Sequence, residues 1–161
     1  MLEINGLRVV YGRSTVLDDV NMNVDGEKVV LVGPNGSGKS TLLRAILGLV
    51  PAARGSIRVF GVDPRNARGI PGVSTNLAEV YRLVNLNVED VISMYSELWG
   101  VGGAVALRMV EDFELEDVLE KRLYQLSTGQ QKMVCNILAA AGRAKPTLLD
   151  EPFEKGDQGR R

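Results

Sequence analysis

A glycine-rich segment that ends in a lysine and a serine carries the clearest chemistry of the sequence. Residues 33–40 read GPNGSGKS and match the pattern G-x-x-x-x-G-K-[ST] in full. Gly36 and Gly38 allow successive backbone N–H groups to converge on phosphate oxygens, because a glycine has no Cβ to obstruct them. Lys39 can bring a full positive charge to the β- and γ-phosphates, and Ser40 can offer its hydroxyl to Mg²⁺. The spacing therefore predicts a phosphate-binding loop.

The segments on either side of this loop are those that would position it. Residues 28–32 form the continuous apolar run KVVLV, which is typical of a buried parallel strand. Residues 39–47 carry apolar side chains at helical spacing, and Gly48 follows where a helix commonly ends. A helix that begins at the lysine would add its positive N-terminal end to the phosphate site. The alternative, a chance glycine-rich turn, is disfavoured by this strand–loop–helix order.

Composition and length limit the class of protein. The chain has 161 residues, of which 45% are apolar and 24% charged, and these fractions exclude a disordered or fibrous chain. The length suits one domain with a small inserted lobe. A net charge of -1 gives no sign of a nucleic-acid partner. The sequence has no histidine and a single cysteine, Cys135, which excludes histidine-based catalysis and an internal disulfide and favours a reducing cytosol.

Elsewhere the chain alternates between strand-like and helix-like segments. Strands are predicted at residues 2–10, 16–24, 56–61 and 147–149. Helices are predicted at residues 88–98, 104–112, 115–122 and 129–141. Asn87 precedes the first of these helices and is expected to cap it. The order of elements predicts an α/β fold with a helical insertion.

A second motif lies just before the last predicted helix. Residues 126–130 read LSTGQ, and about twenty residues later residues 150–152 read Asp-Glu-Pro. Together with the phosphate loop, these motifs resemble those of the ATP-binding cassette (ABC) ATPases, and the resemblance covers essentially the whole chain. It implies an ABC-type P-loop NTPase core with an N-terminal antiparallel β part and an inserted helical subdomain. The core would comprise residues 1–76 and 128–161, and the helical subdomain residues 77–127.

The resemblance also implies roles for individual residues, with ATP and Mg²⁺ as the ligands. Glu151 would be the base that orients the attacking water, while Lys39 neutralises developing charge. The Mg²⁺ ligands would be Ser40, Asp150 and Asn76. The nucleotide-binding residues would be Tyr11, Gly33, Pro34, Asn35, Gly36, Ser37, Gly38, Lys39, Ser40, Thr41, Ser127, Gly129, Gln130 and Asp157.

Several of these residues also have an ordinary structural interpretation. Tyr11 would stack on adenine, or it would be an aromatic residue at a strand edge. Ser127 and Gly129 would meet the γ-phosphate held by a second subunit, or they would only cap a helix. Asp150 would orient Mg²⁺ or its water ligands, or it would be a loop carboxylate at the end of a strand.

The sequence departs from the family pattern in three places. Asn76 stands where the family has a glutamine, and its shorter side chain makes direct contact with Mg²⁺ more demanding. Pro146 lies where a proline can only start a strand. The chain ends at Arg161, whereas the family continues with a strand that carries a switch histidine, so a core without its last strands is expected. ATP binding is expected from the residues present, and efficient hydrolysis is expected to need the strands that come later in the family.

The resemblance implies that two such domains enclose two ATP molecules and drive transport through a separate integral membrane subunit. The second ATPase subunit would be identical or different, and no nucleic-acid partner is expected. The location would be cytoplasmic, peripheral at the inner face of the cell membrane. Two alternatives stay open, a soluble ABC ATPase outside transport and a non-hydrolysing nucleotide-binding regulatory module. The lack of sustained heptads argues against DNA-repair ATPases with long coiled coils, and Glu151 argues against the non-hydrolysing module.

Overall fold

The computed structural model describes residues 1–66, 73–77, 85–100, 103–142 and 147–152. The chain divides into two compact units, Met1–Pro71 and Gly72–Arg161. The predicted division into a nucleotide-binding core and a helical subdomain, with boundaries at residues 76 and 127, stays a prediction.

The first unit contains a three-stranded antiparallel sheet with the strand order β2-β1-β3. Its strands are β1 (Leu2–Tyr11), β2 (Ser14–Val24) and β3 (Arg54–Val59). In β1, Ile4, Leu7 and Val9 are buried because alternate residues of a strand share one face. The register shifts between Ile4 and Leu7, beside Gly6 in the left-handed conformation, and this irregularity keeps both side chains on the buried face. The sheet confirms the predicted N-terminal antiparallel part.

The helix after the phosphate loop forms as predicted. Helix α1 spans Lys39–Ile46, and Gly48 follows with a φ of 72° that a glycine adopts without strain. Its apolar side chains bury one face, and the helix contacts β2 and β3. The buried residues of α1 are Thr41, Leu42, Leu43, Ala45 and Ile46.

The predicted strand at residues 28–32 is wrong for the described structure, because this segment has no regular secondary structure. Val30 and Val32 are 81% and 90% exposed instead of buried. No strand among the described residues pairs with the segment, so it gains neither a ladder of hydrogen bonds nor cover for its valines. The apolar run alone does not supply the neighbour that a buried strand needs.

The described residues of the second unit contain three α-helices and a short pair of parallel strands. The helices are α2 (Val88–Leu98), α3 (Ala104–Asp112) and α4 (Thr128–Ala141), close to their predicted bounds. The strands are β4 (Ser74–Thr75) and β5 (Thr147–Leu148), and both contact α4. The main core residues of the unit are Val88, Val91, Ile92, Ala106, Val110, Val118, Leu123, Leu126, Val134, Cys135, Ile137, Leu138 and Ala141. No helix in the described part of the chain is long and apolar enough to cross a membrane.

The helix predicted at residues 115–122 is also wrong, since only a 3₁₀ turn forms at Glu116–Val118. The backbone N–H groups of Val88 and Glu89 donate to the carbonyls of Lys121 and Leu119, each at 3.1 Å. These two carbonyls therefore serve the otherwise unpaired N-terminal N–H groups of α2. The segment therefore connects two elements and supplies hydrogen-bond acceptors to the N-terminus of α2.

We expect the N-cap of α2 to contribute measurably to the stability of this unit. The side chain of Asn87 accepts a hydrogen bond from the backbone N–H of Asp90 at 2.7 Å. Asn87→Ala should lower the free energy of unfolding by about 1 kcal/mol, as measured by urea denaturation. Asn85→Ala, at an exposed asparagine two residues earlier, is the matched control and should cost less than about 0.5 kcal/mol. Equal losses in the two variants would contradict the capping role.

Candidate functional site

The phosphate loop is a tight turn that leads directly into α1. The N–H of Ser37 donates to the carbonyl of Pro34 at 3.2 Å and closes the turn. Gly38 is the N-cap residue of α1, with a φ of 94°, and its carbonyl accepts the first helical hydrogen bond from Leu42 at 2.9 Å. The first turn of the helix carries no acidic residue. This end of the helix therefore presents free N–H groups and a partial positive charge with no carboxylate of its own to neutralise it.

Two glycines of the loop are required for different physical reasons. Gly36 has a φ of 82° and open space around it, so only its backbone conformation favours glycine. At Gly38 a Cβ would also lie 2.8 Å from Cδ2 of Leu17 and 3.2 Å from the carbonyl oxygen of Val16. The loop thus passes against β2 at a distance that admits no side chain.

Lys39 folds back over the loop from the first position of the helix. Its Nζ donates to the carbonyl of Gly33 at 2.9 Å and to the carbonyl of Pro34 at 3.0 Å. The ammonium group is therefore held beside the backbone that would surround a phosphate. Because Lys is a compact point charge with three donors, it can exchange these carbonyls for phosphate oxygens.

The remaining predicted residues of the loop surround this centre. Pro34, Asn35, Gly36 and Ser37 are exposed. Ser40 is half-buried and Thr41 is buried at 9% exposure. The exposed part of the loop can meet a ligand, and Thr41 anchors the first turn of the helix to the core of the unit.

Tyr11 is the last residue of β1, in the same unit as the loop. Its side chain is 46% exposed, and in the sheet register it lies opposite Ser14 of β2. Gly38 approaches the same strand at Val16 and Leu17, so the two features are separated by about 7–10 Å along β2. An exposed ring at this distance from a phosphate loop is available for stacking.

The N-terminus of α4 carries the predicted signature residues in the second unit. The Ser127 side chain accepts from the N–H of Gln130 at 3.2 Å, and the Gln130 side chain accepts from the N–H of Ser127 at 3.0 Å. This reciprocal pair is a capping box, so the structural interpretation of Ser127 holds within the chain. Gly129 differs, because no described atom beyond its chain neighbours and the adjacent helix backbone lies within 4 Å of the position that its Cβ would take.

The turn after β5 carries the predicted acidic pair. Asp150 is half-buried and Glu151 is exposed, with a φ of 46° that is uncommon for a residue other than glycine. The side chain of Asn76 bonds the backbone of Asp150 in both directions, as acceptor at 2.8 Å and as donor at 3.0 Å. The structure thus brings Asn76 and Asp150 together, although through the Asp150 backbone and not through its carboxylate.

Sequence reasoning missed Asn136, which lies in α4 and joins the same network. Its Oδ1 accepts from Nδ2 of Asn76 at 2.7 Å, and its Nδ2 donates to the carbonyl of Pro152 at 2.7 Å. The sequence gives one sign of this role, because Asn136 is a polar residue between Cys135 and Ile137, which are both buried. An amide at such a position needs partners, and the turn supplies them.

Whether the chain can bind a metal ion depends on which of its side chains can act as ligands. Among the described residues no group of three or more His, Cys, Asp or Glu side chains could hold a metal ion. Mg²⁺ does not need such a group, since it commonly binds one or two carboxylates together with phosphate oxygens and water. Ser40 and Asp150 are donors of the required oxygen type, and they belong to different units. Asp157 lies outside the described residues.

Comparison with known proteins gives a consistent result. A family described as ABC transporter matches residues 17–154. The taurine import ATP-binding protein TauB of Escherichia coli O6:K15:H31 (strain 536 / UPEC) is 36% identical over 162 aligned positions, which cover 95% of this chain and 61% of that protein. The chain therefore spans about three fifths of the length of this curated relative.

Solved structures agree with the sequence comparison. A structure named for a cobalt transport ATP-binding protein (cbiO-2) is 40% identical with a TM-score of 0.85, and the match covers 98% of this chain and 61% of that one. The structure of an ATP-binding subunit of an ABC transporter is 28% identical with a TM-score of 0.81, and the match covers 96% of this chain and 67% of that one.

A glycine-rich loop that ends in a lysine at a helix N-terminus defines the class of P-loop nucleotide-binding proteins. Within that class, the chain belongs to the ABC transporter family of ATP-binding proteins. The predicted ABC-type P-loop fold is thereby confirmed.

The two glycines of the loop give a test of its packing. Gly36→Ala should cost about 1 kcal/mol of unfolding free energy, because only the left-handed conformation is penalised. Gly38→Ala should cost at least about 2 kcal/mol, because the new methyl group also overlaps Leu17 and Val16. Urea denaturation of both variants measures the difference. A Gly38→Ala variant no less stable than Gly36→Ala would show that the loop does not pack against β2 as described.

Proposed function

We propose that this chain is the ATP-binding part of an ABC transporter, which binds ATP with Mg²⁺ and hydrolyses it to drive transport through a separate membrane subunit. The observation that carries the proposal is the position of Lys39, whose Nζ lies 2.9 Å and 3.0 Å from two carbonyls of a loop that opens a helix. A cation, free N–H groups and a helix N-terminus converge there, and together they favour an anion with several oxygens.

The phosphates, the adenine and the Mg²⁺ ion would each contact different residues. The β- and γ-phosphates would lie along Gly33–Thr41, where Lys39 exchanges its carbonyl partners for phosphate oxygens. The adenine would stack on Tyr11. Mg²⁺ bound at Ser40 would neutralise part of the phosphate charge, and Asp150 stays a predicted Mg²⁺ ligand. The metal role of Asn76 stays a prediction, because its amide already bonds the Asp150 backbone.

Hydrolysis needs a group that orients water opposite the leaving ADP. Glu151 is exposed and follows Asp150 directly, so its carboxylate is free to accept a proton from water during attack on the γ-phosphorus. The bond from the γ-phosphorus to the bridging oxygen breaks, and the charge that develops on ADP would be stabilised by Lys39. The products are ADP and inorganic phosphate.

A second ATPase subunit is proposed from the N-terminus of α4. Glycine at a helix position costs stability relative to alanine, and no described neighbour of Gly129 requires it. Close approach of a nucleotide held by another subunit would supply the reason. Ser127 and Gln130 would present the same helix end to that nucleotide, and Asp157 stays a predicted contributor. Identical and different partner subunits both fit these observations.

A membrane partner is supported by the names of the relatives, which are import and transport ATP-binding proteins. We propose the same association here, with the chain at the inner face of the membrane through that partner. The transported substrate does not follow from the ATP-binding residues, because they recognise the nucleotide.

Two substitutions separate binding from hydrolysis. Lys39→Ala should weaken ATP binding at least a hundredfold, because it removes the charge at the phosphates, whereas Glu151→Gln should keep the affinity of the wild type. Phosphate release should be lost in both variants. Binding is measured with a fluorescent ATP analogue, and phosphate with a colorimetric assay.

Each assignment can fail separately in this comparison. Unchanged nucleotide affinity in Lys39→Ala would overturn the phosphate-loop assignment. Background phosphate release by the wild type would leave a nucleotide-binding module that does not hydrolyse ATP.

Gly129 tests the proposed dimer. Gly129→Ala should leave the free energy of unfolding unchanged or raise it by up to about 1 kcal/mol, because alanine favours the helix. In the Glu151→Gln background, which should retain ATP, the same substitution should weaken ATP-dependent dimerisation measured by sedimentation velocity. Gly103→Ala, at the start of α3 where a Cβ meets Ser96 only at ordinary contact distance, is the control. Equal dimerisation in both variants would contradict the role of Gly129.

A further inference from the structure

The turn that carries the proposed catalytic base has an uncommon backbone. Glu151 has a φ of 46°, in the left-handed region that residues other than glycine and asparagine rarely adopt. Such a conformation persists only where the surrounding structure holds it in place. The residues before and after Glu151 are held by side-chain amides and not by strand pairing.

Asn76 holds the residue before it. Its Oδ1 accepts from the N–H of Asp150 at 2.8 Å, and its Nδ2 donates to the carbonyl of Asp150 at 3.0 Å. The amide thus pairs with one residue in both directions, as a neighbouring strand would. Asn76 directly follows β4, whose partner β5 ends just before this turn.

Asn136 holds the residue after it and also holds Asn76. Its Nδ2 donates to the carbonyl of Pro152 at 2.7 Å, and its Oδ1 accepts from Nδ2 of Asn76 at 2.7 Å. Asn136 lies between the buried Cys135 and Ile137 of α4, so its backbone is held in place by the packing of that helix. The two amides and the turn form one connected set of four hydrogen bonds.

We propose that Asn76 and Asn136 form an amide clamp that positions Glu151 for water activation, and that Asn136 is a positioning residue for hydrolysis. The proposal rests on the proposed ATPase function. The clamp fixes the backbone on both sides of Glu151, and the left-handed φ sets the direction of its Cα–Cβ bond. If the clamp opens, Glu151 can relax to an ordinary backbone conformation, and its carboxylate then leaves the orientation that catalysis needs. Asn136 is not among the residues proposed to bind ATP or Mg²⁺, so its loss should affect the rate of hydrolysis more than the nucleotide affinity.

The first test measures the clamp without reference to activity. In Asn76→Ala the N–H of Asp150 loses its acceptor, and in Asn136→Ala the support of Asn76 is lost. Hydrogen exchange of a peptide that covers residues 147–152 should accelerate about tenfold in both variants. Asn85→Ala is the control and should leave this peptide unchanged. Unchanged exchange in both clamp variants, with folding verified by circular dichroism, would overturn the proposal.

The second test asks whether the clamp acts through Glu151. In the full-length protein, Asn136→Ala should lower kcat about tenfold or more, while KM for ATP and the affinity for a fluorescent ATP analogue stay within about twofold. In single-turnover assays, Asn136→Ala combined with Glu151→Gln should be no slower than Glu151→Gln alone, because the group being positioned is already absent. Losses that multiply, or a loss confined to KM, would overturn the positioning role.

The two tests keep this proposal separate from the proposed function. If the wild type releases no phosphate, the ATPase proposal fails together with the positioning role, and the exchange test still decides whether the clamp exists. If phosphate release is normal in Asn136→Ala while exchange accelerates, the positioning role alone is overturned.

Discussion

Gly38 passes so close to β2 that no side chain fits between them, and this approach determines where α1 begins. The left-handed φ of Gly38 turns the chain into the helix, so that Lys39 takes its first position and reaches back over the loop. The helix N-terminus, the ammonium group and the loop backbone are therefore brought together by one packing constraint. Tyr11 depends on it as well, because it ends the strand that pairs with β2.

In the second unit, α4 has a similar organising role. Its N-terminus is closed by the capping box of Ser127 and Gln130, which leaves Gly129 open toward whatever approaches from outside the described chain. About 10 Å beyond Gly129 along the helix axis, Asn136 reaches the turn that carries Glu151. A single rigid helix thus carries both the surface proposed to meet a second subunit and one half of the amide clamp. A movement of α4 would affect both places.

Features set by local chemistry could be predicted from the sequence, and features that need a distant partner could not. The phosphate-loop motif and the Asn87 cap depend on residues within a few positions of one another. The strand at residues 28–32 failed because an apolar run indicates burial only when a neighbour exists to cover it. At residues 115–122 only a 3₁₀ turn forms, and the following carbonyls pair with the first turn of α2, which is distant in sequence. Asn136 was missed because its partners lie 60 and 16 residues away in sequence.

We propose that backbone N–H groups of the glycine loop and the start of α1 hold the terminal phosphates of a nucleotide. An NMR titration of the ¹⁵N-labelled protein with ATP and Mg²⁺ can detect this contact residue by residue. The amide resonances of Gly36, Gly38, Lys39 and Ser40 should shift most, and AMP, which lacks the terminal phosphates, should leave them largely unchanged. Saturable ATP binding that shifts other amides and leaves these four in place would show that the loop does not bind the phosphates.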